Sequence, residues 1–237
     1  MKKLGDLELN KVYHMDCLEG LKRIPDNSID LIISDPPYNT GFKENKTANW
    51  LNSFFNDNLD EWEYEKLMKD TFREFYRVLK DNKPIYIFID HRNLDLFKKW
   101  LLWCNFNYKQ IIIWDKVVHG LNYQNYAYKH EYILYFVKGV YTHKKIKHKF
   151  DIIHLKRINQ DNKIDHETVK PLSLIRNFII DNSDENDIVL DAFMGSGTTA
   201  IASKQTGRYF IGFEIEKKYI DIINNRLKQN ILSEELF

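Results

Sequence analysis

Ile188-Val189-Leu190-Asp191-Ala192-Phe193-Met194-Gly195-Ser196-Gly197-Thr198-Thr199 joins a short apolar run, an acidic residue, a turn with two glycines and the start of a helical pattern that continues to Gln205. A further apolar run, Tyr209 to Phe213, follows closely and ends at Glu214. Strand, helix and strand in this order predict a parallel sheet covered on both faces. The same alternation extends upstream. Val12 to Met15 reads as a strand ending at Asp16, Cys17 to Ile24 as a short helix, and Ile29 to Ser34 as a buried strand ending at Asp35. Trp62 to Leu79 carries Leu67, Met68, Phe72, Phe75, Tyr76 and Leu79 at helical spacing. Ile85 to Ile89 is a strand, and Asn93 to Trp103, Leu172 to Ile180 and Lys217 to Leu227 are helices. Gln110 to Trp114 and Tyr132 to Val137 are strands with no helix-length segment between them, which predicts an antiparallel pair at one edge of the sheet. Residues 39–60 read as a long loop, and 139–165 as a polar, lysine-rich stretch.

The 237 residues suit one α/β domain over 1–237, with 139–165 as a small variable insert. A hydrophobic share of 43% against 29% charged is that of an ordinary water-soluble domain. Cys17 and Cys104 lack metal-ligand spacing, so neither a disulfide framework nor a metal is expected. No signal peptide or membrane-spanning run stands out, and the expected setting is cytoplasmic. With a net charge of only +1, a nucleic-acid partner needs a local basic patch.

Two motifs carry chemistry. Asp35-Pro36-Pro37-Tyr38 sits at the carboxyl end of a buried strand, where open α/β sheets bind ligands. An exocyclic amino group such as that of adenine is a poor nucleophile, because its lone pair is delocalised into the ring. The Asp35 carboxylate and the Pro36 carbonyl are two acceptors for its two N–H groups. Consecutive prolines fix φ and hold that carbonyl in a rigid direction. Tyr38 offers a flat ring on which an extruded base can stack. The bland alternative is a strand-ending turn with a surface tyrosine.

The second motif is the glycine turn itself. Gly195 and Gly197 permit a tight turn and close approach to a ligand, and Glu214 ends the next strand where it can accept hydrogen bonds from ribose hydroxyls. Alone, Gly195-x-Gly197-x-x-Ala200 also fits a dinucleotide-binding fingerprint. Only 40 residues follow Gly197, too few for the rest of a dinucleotide-binding domain in the usual order. Asp16, Asp35 and Asp191 all end strands, and such a field repels a pyrophosphate and suits a cationic sulfonium.

Taken together in order, these strings resemble the beta-class amino-methyltransferases, mostly DNA adenine methyltransferases of restriction–modification or orphan type. The resemblance spans nearly the whole chain. It runs from His14-Met15-Asp16-Cys17-Leu18 through Asp35-Pro36-Pro37-Tyr38, Trp114-Asp115-Lys116 and His130-Glu131-Tyr132. A variable target-recognition region then precedes His166-Glu167-Thr168-Val169-Lys170-Pro171 and the Asp191 to Thr199 turn. Glu167 and Ala192 each stand where the family usually has proline, which loosens a loop without removing a functional group. The resemblance implies a class I, Rossmann-like methyltransferase fold with a mainly parallel seven-stranded sheet, an antiparallel edge strand and a circularly permuted motif order. It implies S-adenosylmethionine as cofactor, lined by Asp16, Asp35, Thr168, Lys170, Asp191, Phe193, Gly195, Ser196, Gly197, Thr198 and Glu214. The alternative for Asp16 is to cap the following helix, and for Thr168 and Lys170 to start another. The implied reaction is methylation of adenine N6 in double-stranded DNA. Cytosine N4, an RNA substrate and a catalytically idle DNA-binding module are the rivals.

Lys144, Lys145, Lys147 and Lys149 form the densest positive stretch and are expected to hold DNA phosphates, or else to be a solvated hairpin. Tyr123 and Tyr126, interleaved with Asn122, Gln124 and Asn125, read as a nucleic-acid loop or as exposed strand ends. Thr40-Gly41-Phe42-Lys43 begins a segment able to close over a flipped base. The insert is too small for a separate domain, so a homodimer that pools contacts is the expected assembly. A cognate restriction endonuclease is the other expected partner.

Overall fold

The computed structural model describes residues 2–39, 59–117, 126, 129–140, 149–156 and 169–234. In chain order its elements are β1 (Lys3–Leu4), β2 (Leu7–Glu8), β3 (Lys11–His14), α1 (Cys17–Lys22), β4 (Leu31–Ser34), α2 (Glu61–Val78), β5 (Lys83–Ile89), α3 (Leu94–Trp103), β6 (Asn107–Asp115), β7 (His130–Lys138), β8 (Ile152–His154), α4 (Leu172–Asn182), β9 (Ile188–Asp191), α5 (Thr198–Gln205), β10 (Tyr209–Glu214) and α6 (Lys217–Glu234). Among the described residues, eight strands form one sheet in the order β3-β10-β9-β4-β5-β7-β6-β8, while β1 and β2 pair in a separate hairpin. Neighbours in the sheet are parallel except where β7 is involved; it runs against both β5 and β6. The sequence reading counts seven strands, and the structure corrects this to eight. The extra strand is β8, three residues inside the polar 139–165 stretch, which pairs along the outer side of β6.

The strands are apolar almost without interruption because both faces of the sheet are covered. Ile32, Ile85, Ile87, Leu134 and Leu190 face one side, where α1, α2 and α3 pack. Leu31, Ile33, Phe88, Ile133 and Val189 face the other, against α4 and α5. Along α2, Tyr64, Met68, Phe72, Phe75 and Val78 recur at helical spacing and are all buried. Burying rings such as Phe72 and Phe75 stabilises the fold by roughly 1.5–3 kcal/mol each. Asp60 caps α2 by accepting the Glu63 N–H at 2.7 Å. No helix among the described residues is long and apolar enough to cross a membrane.

This topology concentrates chemistry at one end of the sheet. The carboxyl ends of β3, β10, β9, β4 and β5 lie side by side, followed or closed by Asp16, Glu214, Asp191, Asp35 and Asp90. Because β7 is reversed, it brings its first residues, His130 and Glu131, to that same end.

Candidate active site

β4 ends at Ser34, and the turn that follows is held by its carbonyls, since its two prolines have no N–H to offer. Tyr64 of α2 donates its hydroxyl to the Pro37 carbonyl at 2.8 Å, and the Asn93 side-chain amide donates to the Tyr38 carbonyl. Asn39, in the left-handed region at φ +50°, donates to the Leu59 carbonyl at 3.0 Å and accepts the Leu59 N–H at 2.9 Å. The Pro36 carbonyl takes no hydrogen bond from any described residue.

The Asp35 carboxylate is gripped at both oxygens. Tyr38 donates its hydroxyl to Oδ1 at 2.5 Å, and the Lys170 ammonium donates to Oδ2 at 2.6 Å. Lys170 is buried, and its Nζ also lies 3.2 Å from Glu131 Oε2 and 5.1 Å from the centre of the Phe88 ring. Glu131 Oε1 is in turn 2.6 Å from Lys116 Nζ. Burial works to lower Lys170, but the charges of Asp35 and Glu131 overcome it and hold the ammonium above its ordinary value. Burial works to raise Glu131, and Lys170 and Lys116 overcome it and hold the carboxyl below its ordinary value. Burial and the nearby carboxylates push the Tyr38 phenol well up, so it stays a donor.

On the other side of β4 from β5, β9 and β10 build a cradle. Gly195 and Gly197 have φ of +52° and +83°, and a Cβ on Gly197 would come within 2.8 Å of Ile223 in α6. Glu214 organises the turn: its Oε2 accepts the Gly195 N–H at 2.7 Å and its Oε1 the Glu216 N–H at 2.8 Å. Asp191 is buried; its Oδ2 accepts the Thr199 hydroxyl at 2.7 Å and its Oδ1 the Phe193 N–H at 3.1 Å. No cation sits against it among the described residues. Burial pushes its carboxyl up to about 8, with the Asp35 and Glu214 charges adding to the rise against those hydrogen bonds. A buried acid short of positive charge, beside two more carboxylates and an open glycine turn, fits a ligand that carries its own cation. Ser196 and Thr198 are buried in the same turn, Ser196 Oγ lying 3.5 Å from Thr198 Oγ1. Tyr38 and Phe193, both half-buried, rest on one core cluster.

The structure thus brings Asp35, Pro36, Pro37 and Tyr38 together with Asp191, Phe193, Gly195, Gly197 and Glu214 at one sheet end. Asp16 caps α1 there, its Oδ1 accepting the Leu18 and Glu19 N–H groups. Lys170 precedes α4 as a bridge to Asp35, where the resemblance implies a cofactor contact. Lys149 reaches Asp181 in the last turn of α4, at the other end of that helix from Lys170. Tyr126 is 98% exposed. Tyr123, Lys144, Lys145, Lys147 and Thr168 lie outside the described residues. The sequence alone assigns no role to Glu131 or Lys116. The signal for them is the expected antiparallel pair, which already places the start of one strand beside the end of the other.

The protein family described as DNA methylase matches residues 29–225 of this chain. The Type II methyltransferase M.HinfI of Haemophilus influenzae is 32% identical over 252 residues, covering 93% of this chain and 69% of the relative. The Type II methyltransferase M2.MboI of Moraxella bovis is 29% identical over 242 residues, covering 91% and 86%. The crystal structure of the M1.HpyAVI–SAM complex superposes with a TM-score of 0.71 at 28% identity, covering 92% of this chain and 98% of that one.

Proposed function

This chain belongs to the DNA methylase family, and from that premise we propose that it methylates the N6 amino group of adenine in double-stranded DNA. Membership makes it an S-adenosylmethionine-dependent DNA methyltransferase; the target base and the form of the nucleic acid are the proposal. The observation that carries it is one anchored carboxylate oxygen, Asp35 Oδ1, next to the Pro36 carbonyl, which no described residue claims. Each accepts one N–H of the target amine, which favours a pyramidal nitrogen with a localised lone pair. The Tyr38 hydroxyl bond to Asp35 fixes the plane on which the extruded base stacks. An aspartate in first place of the tetrapeptide supports adenine, by resemblance.

When bound, S-adenosylmethionine supplies an electrophilic methyl group on a cationic sulfur. The residues that would hold it are Gly195, Gly197, Phe193 and Glu214, with the Asp191 carboxyl as the acidic group beside its cationic part. The methyl group would pass from sulfur to nitrogen with loss of a neutral thioether, and the Asp35 carboxylate is placed to take the proton that the nitrogen would release. Residues 139–165 are too few for a recognition domain of their own, which supports a homodimer that pools DNA contacts. The Type II designation of the relatives supports a cognate endonuclease as partner.

The test is transfer of labelled methyl to duplex DNA and to RNA, followed by nucleoside analysis. N6-methyladenine from DNA is the expected product. Label recovered as N4-methylcytosine, or in RNA alone, overturns the reading.

A further inference from the structure

We propose that Glu131 and Lys116 are positioning residues for the Asp35 carboxylate, acting on it through Lys170. The inference rests on the reading of Asp35 as acceptor for the target amino group, whichever base carries that group.

A carboxylate swings broadly about its last torsion, yet an attacking amine needs one oxygen presented in one direction. The Tyr38 hydroxyl on Oδ1 and the Lys170 ammonium on Oδ2 together fix the plane of the group. Lys170 is a poor clamp unaided, because its ammonium is a compact charge on a flexible four-carbon stem. Glu131 Oε2 faces that ammonium from the other side as an ion pair at 3.2 Å, without an aligned hydrogen bond, and Lys116 holds Glu131 Oε1 at 2.6 Å. The result is an alternating row: Lys116, Glu131, Lys170, Asp35. Its charges cancel, which is the condition under which buried ions persist. Sheet topology supplies the row. Reversed β7 delivers Glu131 at its amino end opposite Trp114, and Lys116 follows two residues on from Trp114.

The row meets the cofactor cradle at Asp35. Asp191 and Glu214 take their hydrogen bonds from Thr199, Phe193, Gly195 and Glu216, none of which belongs to it. A loss in the row therefore shows in turnover and leaves cofactor affinity alone.

The experiment is a double-mutant cycle on the full chain with Lys170→Met, Glu131→Gln and the pair. Each protein is checked for folding by thermal melting, titrated with S-adenosylmethionine by calorimetry, and assayed for kcat and for KM on duplex DNA. Each single change is expected to lower kcat by roughly 10- to 100-fold, the scale of a misplaced reacting geometry. Cofactor Kd stays unchanged. The double variant is no slower than Lys170→Met alone, because Glu131 acts only through the lysine. Should Lys170→Met not fold, Lys170→Arg replaces it in the cycle with the same expectation of coupling. Multiplied losses in the double variant, or weakened cofactor binding at normal kcat, overturn the proposal. Nucleoside analysis of the wild-type product reports the target base separately. A different base sinks the adenine reading and leaves the cycle standing.

Discussion

Asp35 and Asp191 end neighbouring parallel strands but meet opposite surroundings. Asp35 faces an ammonium and a phenol, whereas among the described residues Asp191 receives only the neutral Thr199 hydroxyl and Phe193 N–H. Asp35→Asn keeps the shape and loses the charge. It should lower kcat by about 100-fold or more, the scale of removing one preorganised hydrogen-bonding group, with cofactor Kd retained. Near-normal turnover of the folded variant sinks the acceptor role. Asp191 makes a different prediction. Its carboxyl lies at about 8 in the folded chain, above its unfolded value. The stability it contributes is full below the unfolded value and is lost as pH rises through about 8. Without cofactor, the melting temperature of the wild type should fall relative to that of Asp191→Asn as pH rises from acid to 8, and equal pH dependence would refute it. The residues of both motifs were legible in the sequence because strand ends in such sheets face ligands. Glu131, Lys116 and the bridging duty of Lys170 were not, because each depends on a partner distant in the chain.

Among the elements, α5 begins at Thr198 and ends at Gln205 as the sequence predicts, and its N-cap is Gly197 in the left-handed region. A Cβ there meets both a backbone penalty and the Ile223 side chain. Gly197→Ala is therefore expected to cost roughly 2–4 kcal/mol. Urea unfolding should show it as a lower midpoint at unchanged slope; an unmoved midpoint contradicts the packing described. Most boundaries follow from periodicity to within a residue or two: the spacing predicts the helix after the catalytic turn at Trp62 to Leu79, and it is Glu61–Val78. The elements that escape a sequence reading are β1, β2 and β8. They have two or three residues each, too few for alternation to register, and pairing alone makes them strands. α6 runs on to Glu234, past the predicted end at Leu227, because the polar Lys228-Gln229-Asn230 blurs the apolar stripe.

At the scale of the whole molecule, the parallel sheet and its antiparallel pair were legible from the alternation of strands and helices, while the order of strands was not. Only pairing between distant segments places β9 between β10 and β4, and so sets the cradle beside the Asp35 turn. Lys149 is engaged with Asp181 at the far end of α4. Replacing Lys144, Lys145 and Lys147 with alanine is expected to reduce the slope of log K against log salt by roughly 0.9 for each DNA phosphate that no longer meets a lysine. Lys149→Ala should leave that slope unaltered. A salt titration of duplex binding decides, and identical slopes for the triple variant and the wild type would remove the stretch from the DNA interface. The paired hydrogen bonds between Asn39 and Leu59 have a consequence of another kind. They fasten the chain to itself across residues 40–58, just where the catalytic turn ends. Lengthening a closed segment is cheap, about 0.6 kcal/mol for each doubling. Insertions between Asn39 and Leu59 are therefore a cheap route for the gene to vary, because the clasp that closes the segment lies in residues the insertion does not touch.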